Sequence, residues 1–396
     1  MANSDLPILV AGGGIGGLAV ALALARQGRS VHVLESSADF REVGAGIQLG
    51  PNVFRMFELL GLTDAINASA VFPDNLVMRD GLSGEEVTRI PLGAAFRARF
   101  EYPYAVIHRP DLHQAILDAV RRQPQVRLSA SVKVTGFEET GDRVVVMSEN
   151  GASYDGAALI GADGLWSKVR GQMLGEGKPR VSGHIAYRAV IPTPEVPAHL
   201  RSNDVVLWAG PKTHLVHYPL RRGELYNLVV VFHSNRYEEG WDTYGDPEEL
   251  RQRFRGQRPE VLEFMRMVNA WKMWVLCDRD PVSQWSRGRV TLLGDAAHPM
   301  LQYLAQGGCM AIEDAVVLAD QLQAANGDFA AAFLAYQRAR YLRTTRVQLT
   351  ARFYGDIYHA ADAVRDLRRQ LLAGRTPEQA YDGVAWLYDG IQSTKL

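Results

Sequence analysis

Three short glycine-containing strings constrain this chain more than any other feature of its sequence. They are residues 12–17 (Gly-Gly-Gly-Ile-Gly-Gly), residues 163–164 (Asp-Gly) and residues 294–295 (Gly-Asp). The first string follows an apolar run at residues 6–11 and precedes apolar residues at helical spacing. Glycines at its first, third and sixth positions permit a tight turn and let a pyrophosphate approach the free amides of a helix N-terminus. The first string therefore predicts a strand, a dinucleotide-binding turn and a helix, with Gly12, Gly14, Ile15 and Gly17 at the ligand.

An acidic residue follows at the position that a dinucleotide requires. Glu35 ends the next predicted strand, residues 30–35, about twenty residues after the turn. Its carboxylate can accept hydrogen bonds from ribose hydroxyls. A glycine-rich turn without a ligand is the alternative interpretation. The motif does not by itself distinguish NAD from FAD.

The two later strings indicate that the ligand is longer than the first string alone would predict. Asp163 ends an apolar strand pattern, Asp295 can hold the hydroxyls of a ribityl chain, and a helix beginning near Gly307 and Gly308 can direct its dipole at a flavin ring. Taken alone, they are an ordinary strand-ending turn and a helix cap. Together with the first string they indicate one extended FAD across a split Rossmann domain. That favours a redox enzyme over a binding or structural protein.

Composition limits which binding partners and which cellular compartment we expect. The net charge of -1 gives no electrostatic reason to expect nucleic acid or an anionic membrane as a partner. Two cysteines, Cys277 and Cys309, do not suggest a disulfide framework, so a reducing cytoplasm is the simple interpretation. The N-terminus lacks the pattern of a secretory signal, and the apolar stretch at residues 18–25 is too short to span a bilayer.

The succession of elements predicts an α/β chain. We expect a Rossmann-like FAD-binding domain made of residues 1–182 and 276–350, with an inserted mixed β-sheet substrate domain at residues 183–275 and C-terminal helices at residues 351–396. The inserted span is rich in β-branched and aromatic runs, whereas the flanking spans alternate strands with helices. Helices are predicted, among other places, at residues 52–60, 109–121 and 310–324, with one or two more over residues 329–353.

On these motifs the chain resembles the class A flavoprotein aromatic hydroxylases over essentially its whole length. The resemblance implies bound FAD and a role for Arg109, within residues 108–112, which would otherwise be interpreted as a solvated charge at a helix start. Residues 41–47 also match the family and are expected to line the flavin. The FAD contacts expected in all are Gly12, Gly14, Ile15, Gly17, Glu35, Ala45, Gly46, Arg109, Val132, Asp163, Gly294, Asp295, Gly307 and Gly308. Since there is no second Gly-x-Gly-x-x-Gly with a following acid, NADH is expected to bind only transiently, and a two-Rossmann disulfide reductase is disfavoured.

Within that family, residues 298–308 resemble the hydroxylases of 3-hydroxybenzoate more than those of salicylate, which usually have another residue in place of Gln302. Residues 214–224 also resemble the hydroxylases of 3-hydroxybenzoate. The resemblance implies NADH as reductant, O2 as oxidant through a flavin C4a-hydroperoxide, and hydroxylation para to the substrate hydroxyl to give gentisate. A homodimer is a further family expectation. The alternatives are a hydroxylase of salicylate or another hydroxybenzoate, a flavin-dependent reductase, and a non-enzymatic nucleotide-sensing or scaffold protein.

Four polar residues are the candidates for the reaction itself. His214 is expected to be the base and Gln302 to orient the substrate hydroxyl, while Tyr218 and Tyr104 would bind the substrate. In an extended strand His214 and Tyr218 share one face and His217 lies on the other. A phenol has a pKa of about 10 and histidine about 6.5, so full proton transfer would cost roughly 5 kcal/mol, and a lone histidine is not enough. Without the resemblance, His214 would be a partly exposed strand histidine and the tyrosines amphipathic core residues.

Other polar groups are less clearly assigned. Arg188 or Arg222 could pair with a substrate carboxylate, although both residues are more often at the surface. His298 is expected to be a loop or flavin-edge residue. We expect no bound metal, because no second ligand lies at metal spacing from His298.

Overall fold

The computed structural model describes residues 6–42, 44–234 and 243–391. Val43, within the segment expected to line the flavin, and the ends of the first and last expected domains lie outside these ranges. The strands are β1 Ile8–Ala11, β2 Val31–Leu34, β3 Gly46–Leu49, β4 Asn75–Asp80, β5 Glu86–Pro91, β6 Ala105–His108, β7 Val126–Ser129, β8 Val134–Thr140, β9 Arg143–Ser148, β10 Ser153–Gly156, β11 Ala158–Gly161, β12 Arg180–Pro192, β13 Val205–Gly210, β14 Thr213–Leu220, β15 Leu225–His233, β16 Thr243–Tyr244, β17 Lys272–Asp278, β18 Ser286–Arg287 and β19 Val290–Leu292. The helices are α1 Ile15–Arg26, α2 Pro51–Leu60, α3 Thr63–Ser69, α4 Ala94–Phe100, α5 Arg109–Arg121, α6 Lys168–Leu174, α7 Pro247–Arg253, α8 Pro259–Arg266, α9 Gly307–Ala324, α10 Phe329–Tyr358, α11 Asp362–Leu372 and α12 Pro377–Tyr388.

A six-stranded sheet of order β18-β19-β11-β1-β2-β7 forms the centre of the nucleotide-binding part. Every pairing from β19 to β7 is parallel, and β1 and β2 are buried along their whole length. Strands covered on both faces are continuous apolar runs, as β1 is. Because the strands are parallel, the loops that follow β1, β2, β7, β11 and β19 all lie at one edge of the sheet. Each of the three glycine-containing strings is one of these loops.

Two buried helices cover this sheet. Ten of the twelve residues of α1 are buried, since α1 packs against both α5 and α9. A helix that is apolar on every side belongs in a core, which explains why α1 has little polar face. The second helix, α9, begins at Gly307, so the motifs that start both helices lie close together at the same edge.

A mixed sheet of order β16-β17-β12-β15-β14-β13-β4-β5 forms the second layer. One face packs against α7 and α8, and the other contacts α10 and the loop before α9. Residues 183–275 were expected to form this sheet, but β12 begins at Arg180 and β17 ends at Asp278. In addition, β4 and β5 join it from earlier in the chain, because β4 pairs in parallel with the open edge of β13. Pairing over such a distance leaves no local sequence pattern.

The C-terminal helices close the molecule. The one or two helices expected over residues 329–353 are a single helix, α10, which continues to Tyr358. Tyr381 and Tyr388 of α12 pack edge-on against Phe96 of α4. Over the ranges that the structure describes, no helix combines the length and apolar character needed to cross a membrane.

Candidate active site

The glycine turn after β1 is built for close approach. Gly12 has φ of 106°, and a Cβ atom there would overlap the backbone carbonyl of Ala162. A Cβ atom at Gly17 would overlap the carbonyl of Gly12. Gly14 precedes α1 without a side-chain cap, so the first amides of α1 have no capping side chain. These are the conditions under which a helix N-terminus binds a pyrophosphate.

Glu35 lies beside this turn. One carboxylate oxygen accepts a hydrogen bond from the Gly13 amide at 2.6 Å, and the other accepts from the Ser37 amide at 2.7 Å. The Glu35 carbonyl accepts from the amide of Val132 at 2.7 Å. The loops after β1, β2 and β7 are therefore tied to one another at the place where the adenosine half of a dinucleotide would lie.

The two aspartates of the later strings differ in their partners. Asp163 accepts from the Ser167 hydroxyl at 2.5 Å and from the Lys168 amide at 2.8 Å, and so it holds the start of α6. No described residue hydrogen-bonds the carboxylate of Asp295. Loss of hydration raises the pKa of Asp295, although His298 and then Arg109 oppose the shift. An unpaired carboxylate of this kind fits the hydroxyls of a ribityl chain.

The start of α9 lies close to both Asp295 and β3. The Cβ position of Gly307 is 3.7 Å from an Asp295 carboxylate oxygen, and that of Gly308 is 2.8 Å from Ile47. Any larger side chain at Gly308 would therefore collide with β3. Gln306 precedes α9 without capping it, so the positive end of the helix dipole lies beside Asp295.

Ala45, Gly46 and Arg109 meet on the other side of Asp295. The Arg109 amide donates to the Ala45 carbonyl at 3.1 Å, and its guanidinium pairs with Glu42 at 3.1 Å. The amide of Gly46 donates to the side-chain oxygen of Asn227, in β15, at 2.7 Å. This bond fixes the segment expected to line the flavin against the mixed sheet.

A buried ionic network holds the Gly294 loop. Asp314 of α9 accepts from the Gly294 amide at 3.0 Å, from His298 at 2.6 Å and from Arg340 at 2.6 Å. Arg340 also pairs with Glu313 at 2.6 Å. His298, which was expected at a loop or flavin edge, is thus a buried partner of Asp314 that supports the loop from behind.

The proteins that this chain resembles agree with these structural features. A family model described as an FAD binding domain matches residues 5–349. The 3-hydroxybenzoate 6-hydroxylase of Polaromonas naphthalenivorans is 49% identical over 97% of this chain and 96% of that protein. The protein of the same name from Klebsiella oxytoca is 46% identical over 96% of each. The chain belongs to the flavin-dependent aromatic hydroxylases. FAD is accordingly the cofactor of this hydroxylase, and the free amides of α1, the unpaired Asp295 and the glycines at the start of α9 fit it.

Solved structures resemble this chain over its complete fold. Klebsiella pneumoniae HpxO, complexed with FAD and uric acid, superimposes on the hydroxylase with a TM-score of 0.87 at 28% identity over 98% of both chains. A salicylate hydroxylase substrate complex gives a TM-score of 0.79 at 24% identity over 99% of this chain and all of that one. The second likeness shows the fold alone.

The mixed sheet presents one face to the FAD-binding part of the hydroxylase. As strand alternation predicts, His214 and Tyr218 of β14 lie on this face. His217 lies on the other face, where it accepts a hydrogen bond from the indole of Trp208 at 3.1 Å and packs on Phe264 of α8. His217 is therefore separated from the substrate side by the sheet.

Two tyrosines meet a glutamine of β3. Tyr104 donates to the side-chain oxygen of Gln48 at 2.5 Å, and Gln48 also hydrogen-bonds Tyr218. Burial raises the pKa of both tyrosines, so they remain neutral hydroxyl groups. Gln48 was not among the expected site residues, although it is two positions after Gly46 and so shares its face of β3.

Arg188 lies near Tyr218 in this cluster, whereas Arg222 lies elsewhere, at the surface. Arg188 of β12 donates to the side-chain oxygen of Gln302. The Nε atom of Arg188 is buried and has no hydrogen-bond partner among the residues described. Burial, followed by the charge of Arg109, lowers the pKa of Arg188 to about 10, which still leaves it charged. Arg222 instead donates to the Ala68 carbonyl from an exposed position.

His214 lies farther along β14, in a buried cluster of rings. Its Nδ1 atom shares a hydrogen bond with Nε2 of His359 at 2.7 Å, and Tyr303, next to Gln302, is 5.6 Å away between ring centres. Within the described ranges nothing hydrogen-bonds Nε2 of His214. Burial, with a smaller effect of His184, lowers the pKa of His214 to about 3, so the ring is neutral. A neutral imidazole with one free nitrogen can accept a proton.

Proposed function

We propose that this hydroxylase uses NADH and O2 to convert 3-hydroxybenzoate to gentisate, by hydroxylation para to the substrate hydroxyl. The observation that carries the proposal is the set of polar groups that lie beside β3 and along the facing side of the mixed sheet. A charged arginine, two neutral tyrosines and a neutral histidine match a carboxylate and a phenol on one ring. The names of the relatives support the same substrate. Bound FAD, once reduced, supplies the activated oxygen.

Each group has a role in this proposal. Arg188 pairs with the substrate carboxylate through its free Nε atom, because a buried unpaired donor gains most from an anion. Tyr218 and Tyr104, linked through Gln48, bind the ring substituents, and Gln302 orients the phenol. His214 accepts the phenolic proton at Nε2.

Full ionisation of His214 would be costly. With its pKa lowered to about 3 and a phenol near 10, complete transfer costs roughly 9 kcal/mol. The proton must therefore leave His214 as it arrives, or move in concert with attack of the ring on oxygen. This makes the surroundings of His214 part of the chemistry.

We also propose the FAD contacts, the path of NADH, the substrate domain and the cellular location. The FAD contacts are the fourteen residues expected from the sequence. NADH reaches the flavin through a cleft of about 520 Å³ that borders Gly44, Ala45 and Arg188. The mixed sheet, with β4 and β5, acts as the substrate domain. Cys277 and Cys309 form no disulfide in the part of the chain that the structure describes, which supports a cytoplasmic location.

A homodimer would cover an apolar surface on α10 and α11. Its exposed side chains are Leu342, Leu349, Phe353, Val364, Leu367 and Leu371. Such a patch is typical of protein–protein contacts. Sedimentation of the wild-type protein and of a Leu342→Glu/Leu371→Glu variant tests this, and a wild-type monomer would contradict it.

Product analysis tests the reaction. Purified protein with FAD, NADH, air and 3-hydroxybenzoate should give gentisate in near-stoichiometric yield with NADH. Peroxide alone would mean that the compound is only an effector, and salicylate and other hydroxybenzoates would be tried next. No turnover with flavin bound would favour a reductase.

A single variant tests the base. His214→Ala should keep FAD but lose about 10²- to 10⁴-fold in hydroxylation rate. His217→Ala, on the opposite face of the same strand, is the matched control. Coupled product formation near the wild-type rate in His214→Ala would show that His214 is not the base.

A further inference from the structure

Three histidines form a continuous chain from the active site toward the surface. Nδ1 of His214 is 2.7 Å from Nε2 of His359, and Nδ1 of His359 is 2.9 Å from Nε2 of His233. His214 and His359 are buried, whereas His233 is half-exposed. No described residue engages the Nδ1 atom of His233. His359 thus contacts one histidine through each of its ring nitrogens, and the chain ends at the partly exposed His233.

Backbone hydrogen bonds fix this order. The Lys212 amide donates to the His359 carbonyl at 2.9 Å, and the His233 amide donates to the Lys212 carbonyl at 3.1 Å. His359 ends α10, whereas His233 ends β15, so one residue before β14 holds two elements in register. The alignment of the rings is therefore built into the fold and does not depend on side-chain packing alone.

The groups around the chain are few. Lys212, Asp356 and Arg253 are the charged groups near His233. His184 stacks on His233 with ring centres 4.2 Å apart, and its Nδ1 atom is 2.6 Å from the Tyr303 hydroxyl. Burial lowers the pKa of each of the four histidines, so the rings are neutral near pH 7.

The same histidines invite comparison with a metal site. Nitrogen atoms of His184, His233 and His359 lie within 4.8 Å of one another. However, the nitrogens of His233 and His359 that face each other already share a hydrogen bond, and the rings of His184 and His233 are stacked. Lone pairs of stacked rings do not converge readily on one ion. The directional contacts favour proton transfer.

We propose that His359 and His233 relay the phenolic proton from His214 to solvent. This rests on the proposed role of His214. The substrate O–H bond breaks as its proton binds Nε2 of His214, whose Nδ1 proton passes to Nε2 of His359. The Nδ1 proton of His359 passes to Nε2 of His233, and that of His233 passes to water. Each ring exchanges one tautomer for the other, and none accumulates charge.

The relay also resets itself. The substrate oxygen is a hydroxyl again in the hydroxylated product, so one proton must return to it from solvent. The reverse transfers restore the starting tautomers. No oxidant or reductant is consumed in either direction. His359 and His233 touch neither substrate nor cofactor, and they act through His214.

Chemical rescue tests the outer member. His233→Ala should lower the rate of gentisate formation by about tenfold or more, while FAD content and the KM for substrate stay within twofold. Because His233 is half-exposed, added imidazole should enter the space and restore the rate in proportion to its concentration. Pyrazole, of equal size but far weaker as a base, should not.

The inner member is tested with an isosteric polar residue. His359→Gln should retain the fold and FAD, lose at least tenfold in hydroxylation rate, and form peroxide instead of gentisate from NADH. Its solvent deuterium isotope effect on hydroxylation should rise above that of the wild type. His217→Gln, which removes a buried histidine outside the chain, should change neither coupling nor the isotope effect.

Three results would overturn the relay. They are wild-type coupling and isotope effects in both variants, a lack of rescue by imidazole in His233→Ala, and a stoichiometric metal in the purified protein that the His233 variant loses. If the wild-type protein makes no hydroxylated product, the proposed function fails instead. The two failures are therefore distinct.

Discussion

Replacing Gly46 with alanine tests how closely β3 approaches Tyr218 of the mixed sheet. A Cβ atom there would lie 2.5 to 2.9 Å from three atoms of the Tyr218 ring, against 3.4–4 Å for ordinary contact. The ring would have to retreat by about 1 Å. Tyr218 is 2% exposed, so the ring cannot move outward into solvent. Overpacking of this kind costs about 1–3 kcal/mol, which corresponds to a loss of roughly 5- to 150-fold in kcat/KM if the ring leaves its substrate.

Steady-state kinetics with product analysis measures this effect. Gly46→Ala should raise the KM for 3-hydroxybenzoate and lower the gentisate formed per NADH. Gly171→Ala is the control, because a Cβ atom in that helix meets nothing within 4 Å. Wild-type kcat/KM and coupling in Gly46→Ala would refute the reasoning, as would loss of FAD with unchanged substrate affinity.

Three further predictions concern cofactor binding and stability. Glu35→Ala should weaken FAD retention, since two amides lose their acceptor, and flavin content after dialysis should fall relative to a variant of the exposed Glu138; equal content would contradict the ribose role. Arg340→Met should lower the free energy of unfolding by about 3–5 kcal/mol in urea, because it removes the buried guanidinium that pairs with both Glu313 and Asp314, and a loss under about 1 kcal/mol would contradict this. Burial lowers the pKa of His217 to about 3, below its unfolded value near 6.5, so its contribution to stability is present above pH 6.5 and is lost as pH falls toward 3. His217→Gln should flatten that part of the dependence of Tm on pH, and an unchanged slope would count against it.

The nucleotide-binding half could be predicted largely from local sequence. A glycine turn after an apolar strand is a local pattern, and α5 has the predicted bounds Arg109–Arg121. Because parallel strands end at one edge, the positions of Glu35, Asp163 and Asp295 in the sequence suffice to bring them together.

The substrate half could be predicted only in part. Alternation along β14 separates His214 from His217, which needs no knowledge of other strands. The partners of His214 and Tyr218, which are His359 and Gln48, come from distant elements. Nothing local marks His359, whereas alternation along β3 places Gln48 on the same face as Gly46. The hydrogen bonds that Asp163 accepts from the start of α6 were also not evident, since Asp-Gly after a strand is ordinary turn sequence.

The pairing of β19 with β11 has a consequence for how the molecule is made. The two strands are neighbours in the parallel sheet, yet residues 162–289 lie between them in the chain. During synthesis β1, β2, β7 and β11 emerge long before β19, and the edge of β11 stays unpaired while the whole mixed sheet is produced. The loop that carries Asp295 arrives only with β19. The proposed FAD site can therefore be completed only after most of the polypeptide has left the ribosome.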